Sequence, residues 1–148
     1  MDLQLAEKKI IESLTSEFDG LPFTPNRFKN GGTNMLEVTS EAVNLHGVYD
    51  NIFLSFGVSE HGICFFSMIF DKLAVNEPNL KLVNEINQSE THFKAYINKN
   101  GYFVLESTQV ANTEDDFANL GIQFMRRGGY LGQDENVKAL VQFLVKEQ

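Results

Sequence analysis

The chain has no tryptophan, a single cysteine, three prolines and only three arginines, Arg27, Arg126 and Arg127. A lone cysteine forbids an internal disulfide. Cys64, set in the apolar run Ile63-Cys64-Phe65-Phe66, therefore reads as a buried, inert thiol, and a reducing compartment, the cytoplasm, is its expected home. Cations are scarce too: 12 Lys and Arg stand against 20 Asp and Glu, a net charge of −8. That field opposes the phosphate neutralisation on which nucleic-acid affinity depends, so neither nucleic acid nor an anionic membrane is expected as a partner. Long apolar runs are missing, and nothing approaches the roughly 18 residues of a membrane span. Asp2, Glu7, Lys8, Lys9, Glu12, Glu17 and Asp19 break up the N-terminal region, which leaves no apolar core for a signal peptide.

What is present fits one domain, residues 1–148. The chain is 43% hydrophobic with thirteen Phe and four Tyr. A chain this long buries about 70% of its unfolded surface, so its stability requires no disulfide, metal or cofactor, and none is expected. Leu3, Ala6, Ile10, Leu14 and Phe18 recur at helical spacing, with Asp2 as cap and Gly20 as stop. From Gly20 to Asn34 the composition predicts a loop, with Phe23 and Phe28 docked onto the body. Three strands follow, Met35 to His46, Asn51 to Val58 and Gly62 to Phe70, joined by short polar turns that imply antiparallel hairpins. Apolar parity switches between Leu36, Val38 and Val43, Leu45, which demands a bulge near Ser40-Glu41. A helix from Pro78 to Ser89 crosses to a further hairpin. There Asn98-Lys99-Asn100-Gly101 predicts a turn that pairs Ile97 with Phe103, Ala95 with Leu105, Tyr96 with Val104 and Lys94 with Glu106. Thr113 with Asp116 starts another helix, Arg126-Arg127-Gly128-Gly129 is expected to end it, and Asp134 caps a last helix carrying Val137, Leu140, Val141 and Leu144. The fold class is thus α+β, a five-stranded antiparallel sheet packed by helices in the order α-βββ-α-ββ-αα.

Groups that carry chemistry are sparse. His46, His61 and His92 have no Cys or His at metal-ligand spacing, so no metal site is expected. There is no nucleophile elbow and no phosphate loop, and Gly128-Gly129-Tyr130-Leu131-Gly132 lacks the strand and the pattern a glycine loop requires. Glu114, Asp115 and Asp116 suit a helix N-terminus better than a catalytic pair. Arg126 and Arg127 form the one compact cationic site, a candidate anion contact set against the plainer reading of a helix end with internal ion pairs. No catalytic residue is assigned.

The third strand is unusual because it is apolar on both faces: Ile63, Phe65 and Ile69 on one, Cys64, Phe66, Met68 and Phe70 on the other. Helices on one side of the sheet would leave one set facing water, and an exposed apolar face marks an interface. The candidate interface is Cys64, Phe66, Met68 and Phe70 with Phe53. It would serve a homodimer or a hydrophobic partner.

The stretch Leu82-Val83-Asn84-Glu85-Ile86-Asn87, then Phe93-Lys94-Ala95-Tyr96-Ile97, then Gly101-Tyr102-Phe103-Val104-Leu105-Glu106, with the order of elements from Met35 to Phe124, resembles the YbjN-type family of bacterial sensory transduction regulators and its type III secretion chaperone-like fold. The resemblance implies a small cytoplasmic bacterial protein that dimerises and binds another polypeptide, with no catalytic residue to carry over. The expected function is a non-enzymatic, chaperone-like or regulatory protein-binding module. Two alternatives stand beside it: a small-molecule-binding or enzymatic domain using Arg126 and Arg127 with His61 or His92, and an acidic inhibitor or immunity-type protein with a basic partner.

Overall fold

The computed structural model describes residues 1–18, 21–45, 49–72, 74–89 and 94–131. Helix α1, Leu3–Glu17, starts where the Asp2 carboxylate accepts the backbone N–H groups of Gln4 and Leu5, and it buries Ala6, Ile10 and Leu14. Six antiparallel strands follow, β1 Thr24–Asn30, β2 Thr33–Leu45, β3 Tyr49–Ser59, β4 Ile63–Lys72, β5 Lys94–Ile97 and β6 Tyr102–Val110, in the spatial order β1-β2-β3-β4-β6-β5. Helix α2, Glu77–Ser89, lies between β4 and β5 in sequence, and α3, Glu114–Leu131, follows β6.

The expected antiparallel α+β fold is present, with two corrections. The sheet has six strands, because the segment read as a loop holds β1, paired with β2 from Thr24↔Thr39 to Asn30↔Thr33. Its two-residue turn is Gly31-Gly32, with φ of 57° and 84°, values that side chains with a Cβ resist. The second correction concerns α3, which runs through Arg126-Arg127-Gly128-Gly129 to Leu131. Glycine costs a helix interior only about 1 kcal/mol, and both glycines stay helical here. The helix expected from Asp134 lies outside the described residues, as do His46 and His92.

Other expectations hold. Register shifts fall between Ser40 and Val43 and again before Leu45. The β5–β6 register is Lys94↔Glu106, Ala95↔Leu105, Tyr96↔Val104 and Ile97↔Phe103. Asn98 holds that turn by accepting the N–H groups of Asn100 and Tyr102, while Gly101 takes a φ of 88°. At the other side of β5 the Asn87 amide of α2 both accepts from Ala95 N–H (2.7 Å) and donates to Ala95 C=O (2.9 Å). One side chain thereby satisfies backbone groups that a further strand would otherwise take.

Helices α1 and α3 lie side by side and parallel. Asp2 N–H donates to Glu114 at their starts, and Arg126 pairs with Glu17 near their ends. Both rest on one face of the sheet, over Leu36, Val38, Ile52, Leu54, Phe56, Val58, Cys64, Phe66 and Met68, all essentially buried. Aromatic rings bridge the two layers: Phe66 stacks on Phe117 (6.0 Å between centroids) and Phe124 (5.6 Å), and Phe56 meets Phe66 edge-on at 6.0 Å. The phenylalanines supply the bulk that tryptophan would give elsewhere. Among the described residues, the helices cover this face alone.

Candidate functional site: the open face of the sheet

Period-two geometry sends the other residues of each strand to the uncovered face. Reading across the register, Asn26, Glu37, Gly57, Phe65 and Thr108 form one row, and Thr24, Thr39, Ser55, Ser67, Glu106 and Lys94 the next. A third row, Phe53, Ile69, Val104 and Tyr96, is closed over, with Val104 buried and the other three half-buried. Toward the β3–β4 turn, Phe28 sits opposite Met35 and Met35 opposite Ser59, while Ile63 faces Val110. Phe28 (39%), Ile63 (41%), Phe65 (46%) and Val110 (70%) retain much of their exposure. Between them lies an open hollow of about 510 Å³ whose lining includes Phe28, Met35, Glu37, Gly57, Ile63, Phe65 and Thr108.

The hollow exists because β3 presents only short groups there. Ser55, Gly57 and Ser59 form its floor, while β2 and β4 raise larger side chains on either side. A Cβ on Gly57 would stand 3.3 Å from the Phe65 carbonyl oxygen and 3.7 Å from Phe65 Cβ, so glycine lets Phe65 sit close over the strand. The turn at the hollow's end is held by Ser59 Oγ, which accepts from the N–H groups of His61 (3.3 Å) and Ile63 (3.2 Å). On the far side, the Tyr96 hydroxyl donates to Glu106 (2.8 Å) and Lys94 lies 3.8 Å from the same carboxylate. Burial first, and that bond to a carboxylate second, push the Tyr96 phenol up to about 12.

The structure places the exposed apolar side chains at the opposite parity from the candidate interface. Cys64, Phe66, Met68 and Phe70 lie in the core beneath the helices. Only Phe53 of that set is on the open side, half-buried opposite Ile69. The exposed set is Ile63 and Phe65, joined by Phe28, which stands on β1 instead of docking onto the body; Phe23 does pack against the core. Alternation identified both faces of β4, but which one the helices cover depends on long-range packing. The Cys64 thiol is pushed up to about 11, chiefly by burial, and has no catalytic setting.

The cationic candidates separate. Arg126 pairs with Glu17 through Nε and Nη2, so it is engaged within the chain. Arg127 borders a smaller recess of about 130 Å³ between α3 and the sheet, with Gln109, Gln123 and Phe124. His61 lies at the rim of the open hollow, 3.7 Å from Glu60. These groups do not share a site. Among the described residues no three His, Cys, Asp or Glu side chains are placed to hold a metal, and no helix is long and apolar enough to cross a membrane. Searches of protein-family models, curated proteins and solved structures find no match to this chain.

Proposed function

We propose that the chain is a non-enzymatic, polypeptide-binding module of the chaperone-like or regulatory kind, which works in the cytoplasm as a homodimer and holds its partner on the helix-free face of the sheet. The observation that carries this reading is the hollow bounded by Phe28, Ile63 and Phe65, apolar side chains kept part-exposed on a face the described helices leave open. An extended segment of another chain lies well along such a surface. With β1 set aside, the elements run α-βββ-α-ββ-α, the order of the type III secretion chaperone-like fold that the YbjN-type resemblance implies. Arg126, Arg127 and His61 stand apart, which lends the small-molecule or enzymatic alternative no support, whereas an acidic inhibitor with a basic partner would use the same face.

A photo-crosslinking residue placed at Thr108, in the hollow, tests the reading against the same probe at Glu12 on α1. Discrete polypeptide adducts are expected from position 108, lost when Phe65→Asp is added, and absent from position 12. Equal adducts from both positions, or none, would contradict it. Sedimentation equilibrium tests the dimer, for which a monomer mass is the contrary result.

A further inference from the structure

The order of side chains around the hollow narrows what fits it, an argument that rests on the reading above and deepens it. Ser55, Gly57 and Ser59 occupy alternate positions on β3, so short side chains form the floor at steps of about 6.6 Å. At the level of Gly57, Glu37 stands on one side and Phe65 on the other. One level along, Met35 and Phe28 lie to one side of Ser59, and Ile63 beyond the turn on the other.

Glu37 is half-buried. Glu7, Glu17, Glu60 and Glu106 each accept a hydrogen bond, from Arg27, Arg126, Asn34 and Tyr96, whereas Glu37 has no such partner among the described residues. Nearby cations are turned away or engaged. On the adjacent strand β1, Arg27 and Lys29 take the opposite parity to Asn26, which faces Glu37, and Arg27 holds Glu7. A part-buried carboxylate beside an open aromatic ring, lacking a cation of its own, complements a guanidinium: the planar group stacks on the ring while its N–H fork meets the carboxylate. The chain's net charge of −8 attracts such a partner, and a second copy would offer Glu37 no free cation from this face, where Lys94 already pairs with Glu106.

We propose that the hollow receives an extended segment of another polypeptide that carries an arginine two residues from an aliphatic residue. The guanidinium lies on Phe65 and meets Glu37, and the aliphatic side chain settles among Phe28, Met35 and Ile63. Alternate side chains of an extended chain point the same way at about 6.6 Å spacing, which matches the two levels of the hollow. The homodimer contact then lies elsewhere on the molecule.

The test is selection of a random twelve-residue peptide library on the intact protein and on Glu37→Gln, with circular dichroism showing that the variant is folded. Wild-type protein is expected to enrich arginine spaced by two from leucine, isoleucine or valine. The variant is expected to keep the aliphatic preference and lose the arginine. A synthetic peptide from the selection should bind Glu37→Gln about tenfold more weakly, the loss of one charge-assisted contact, and should weaken with salt on wild type only. Apolar binders without arginine, equal on both proteins, would overturn this inference and leave the wider reading standing. No binders, or binders unaffected by Phe65→Asp, would overturn both.

Discussion

Replacing Gly121 with alanine puts a methyl group where α1 and α3 press together, and the outcome can be worked from the distances. A Cβ there would stand 2.6 Å from Ile10 Cδ1, 3.3 Å from Phe56 Cδ1 and 3.7 Å from Phe66 Cε1. The first contact is about 1 Å inside ordinary carbon–carbon separation, and Ile10 is fully buried, so its end cannot swing aside freely. Overpacking of this kind costs about 2 kcal/mol. Alanine returns about 1 kcal/mol through helix propensity, which leaves Gly121→Ala about 1 kcal/mol less stable. Ile10→Val alone also costs about 1 kcal/mol. Independent changes would then sum to about 2 kcal/mol. Ile10→Val, however, removes the very atom that the new methyl strikes, so the double variant should lie within about 0.5 kcal/mol of wild type, a coupling of about 2 kcal/mol. Urea unfolding followed by far-ultraviolet circular dichroism measures all four proteins, the chain having no tryptophan to report by fluorescence. Additive losses would refute the close approach of α1 to α3.

Neighbouring phenylalanines should respond oppositely in the same assay: Phe66→Ala should cost about 3–5 kcal/mol, and Phe65→Ala, on the open face, about 1 kcal/mol. Cys64, with its thiol pushed up to about 11, should resist a disulfide reagent at pH 8 in the folded protein and react fully in urea, whereas rapid native reaction would contradict its burial. Glu60 is held below the ordinary carboxylate value first by the Asn34 side chain, and Glu114 first by the Asp2 backbone N–H. Their depressed values add stability above the unfolded value near 4.5, and that stability is lost as pH falls through the folded values. Unfolding midpoints between pH 6 and 3 should therefore fall less steeply in Glu60→Gln/Glu114→Gln than in wild type; an unchanged slope would contradict the two contacts.

Local signals in the sequence carried far where one residue dictates one conformation. Asn98 and Gly101 specify their turn, and pairing Lys94 with Glu106 and apolar with apolar then fixes the β5–β6 register. The parity switch after Val38 marks the bulge because a buried face cannot change sides without one. Strand β1 escaped because an edge strand needs no buried face: all seven residues from Thr24 to Asn30 are exposed, and alternation is silent there. The Gly31-Gly32 pair was the available sign, since two residues of positive φ between short strands make a hairpin turn. Gly128-Gly129 points the other way, as glycine after arginine resembles a stop, but glycine only disfavours a helix interior and does not forbid it. The two apolar faces of β4 were visible in the sequence. Which face the helices take was not, because α3 chooses it through Phe117 and Phe124 stacked on Phe66, more than fifty residues away in sequence. The role of Glu37 depends on register with Gly57 and Phe65, which no local pattern encodes.

The open face is tested most directly by hydroxyl-radical footprinting of Phe65 and Phe66, adjacent in sequence and opposite in direction. In the free protein Phe65 should be oxidised readily and Phe66 protected, and a selected arginine-containing peptide should protect Phe65 without altering Phe66. Equal protection of both residues in the free monomer would mean that the chain covers this face itself, and the docking surface would be contradicted.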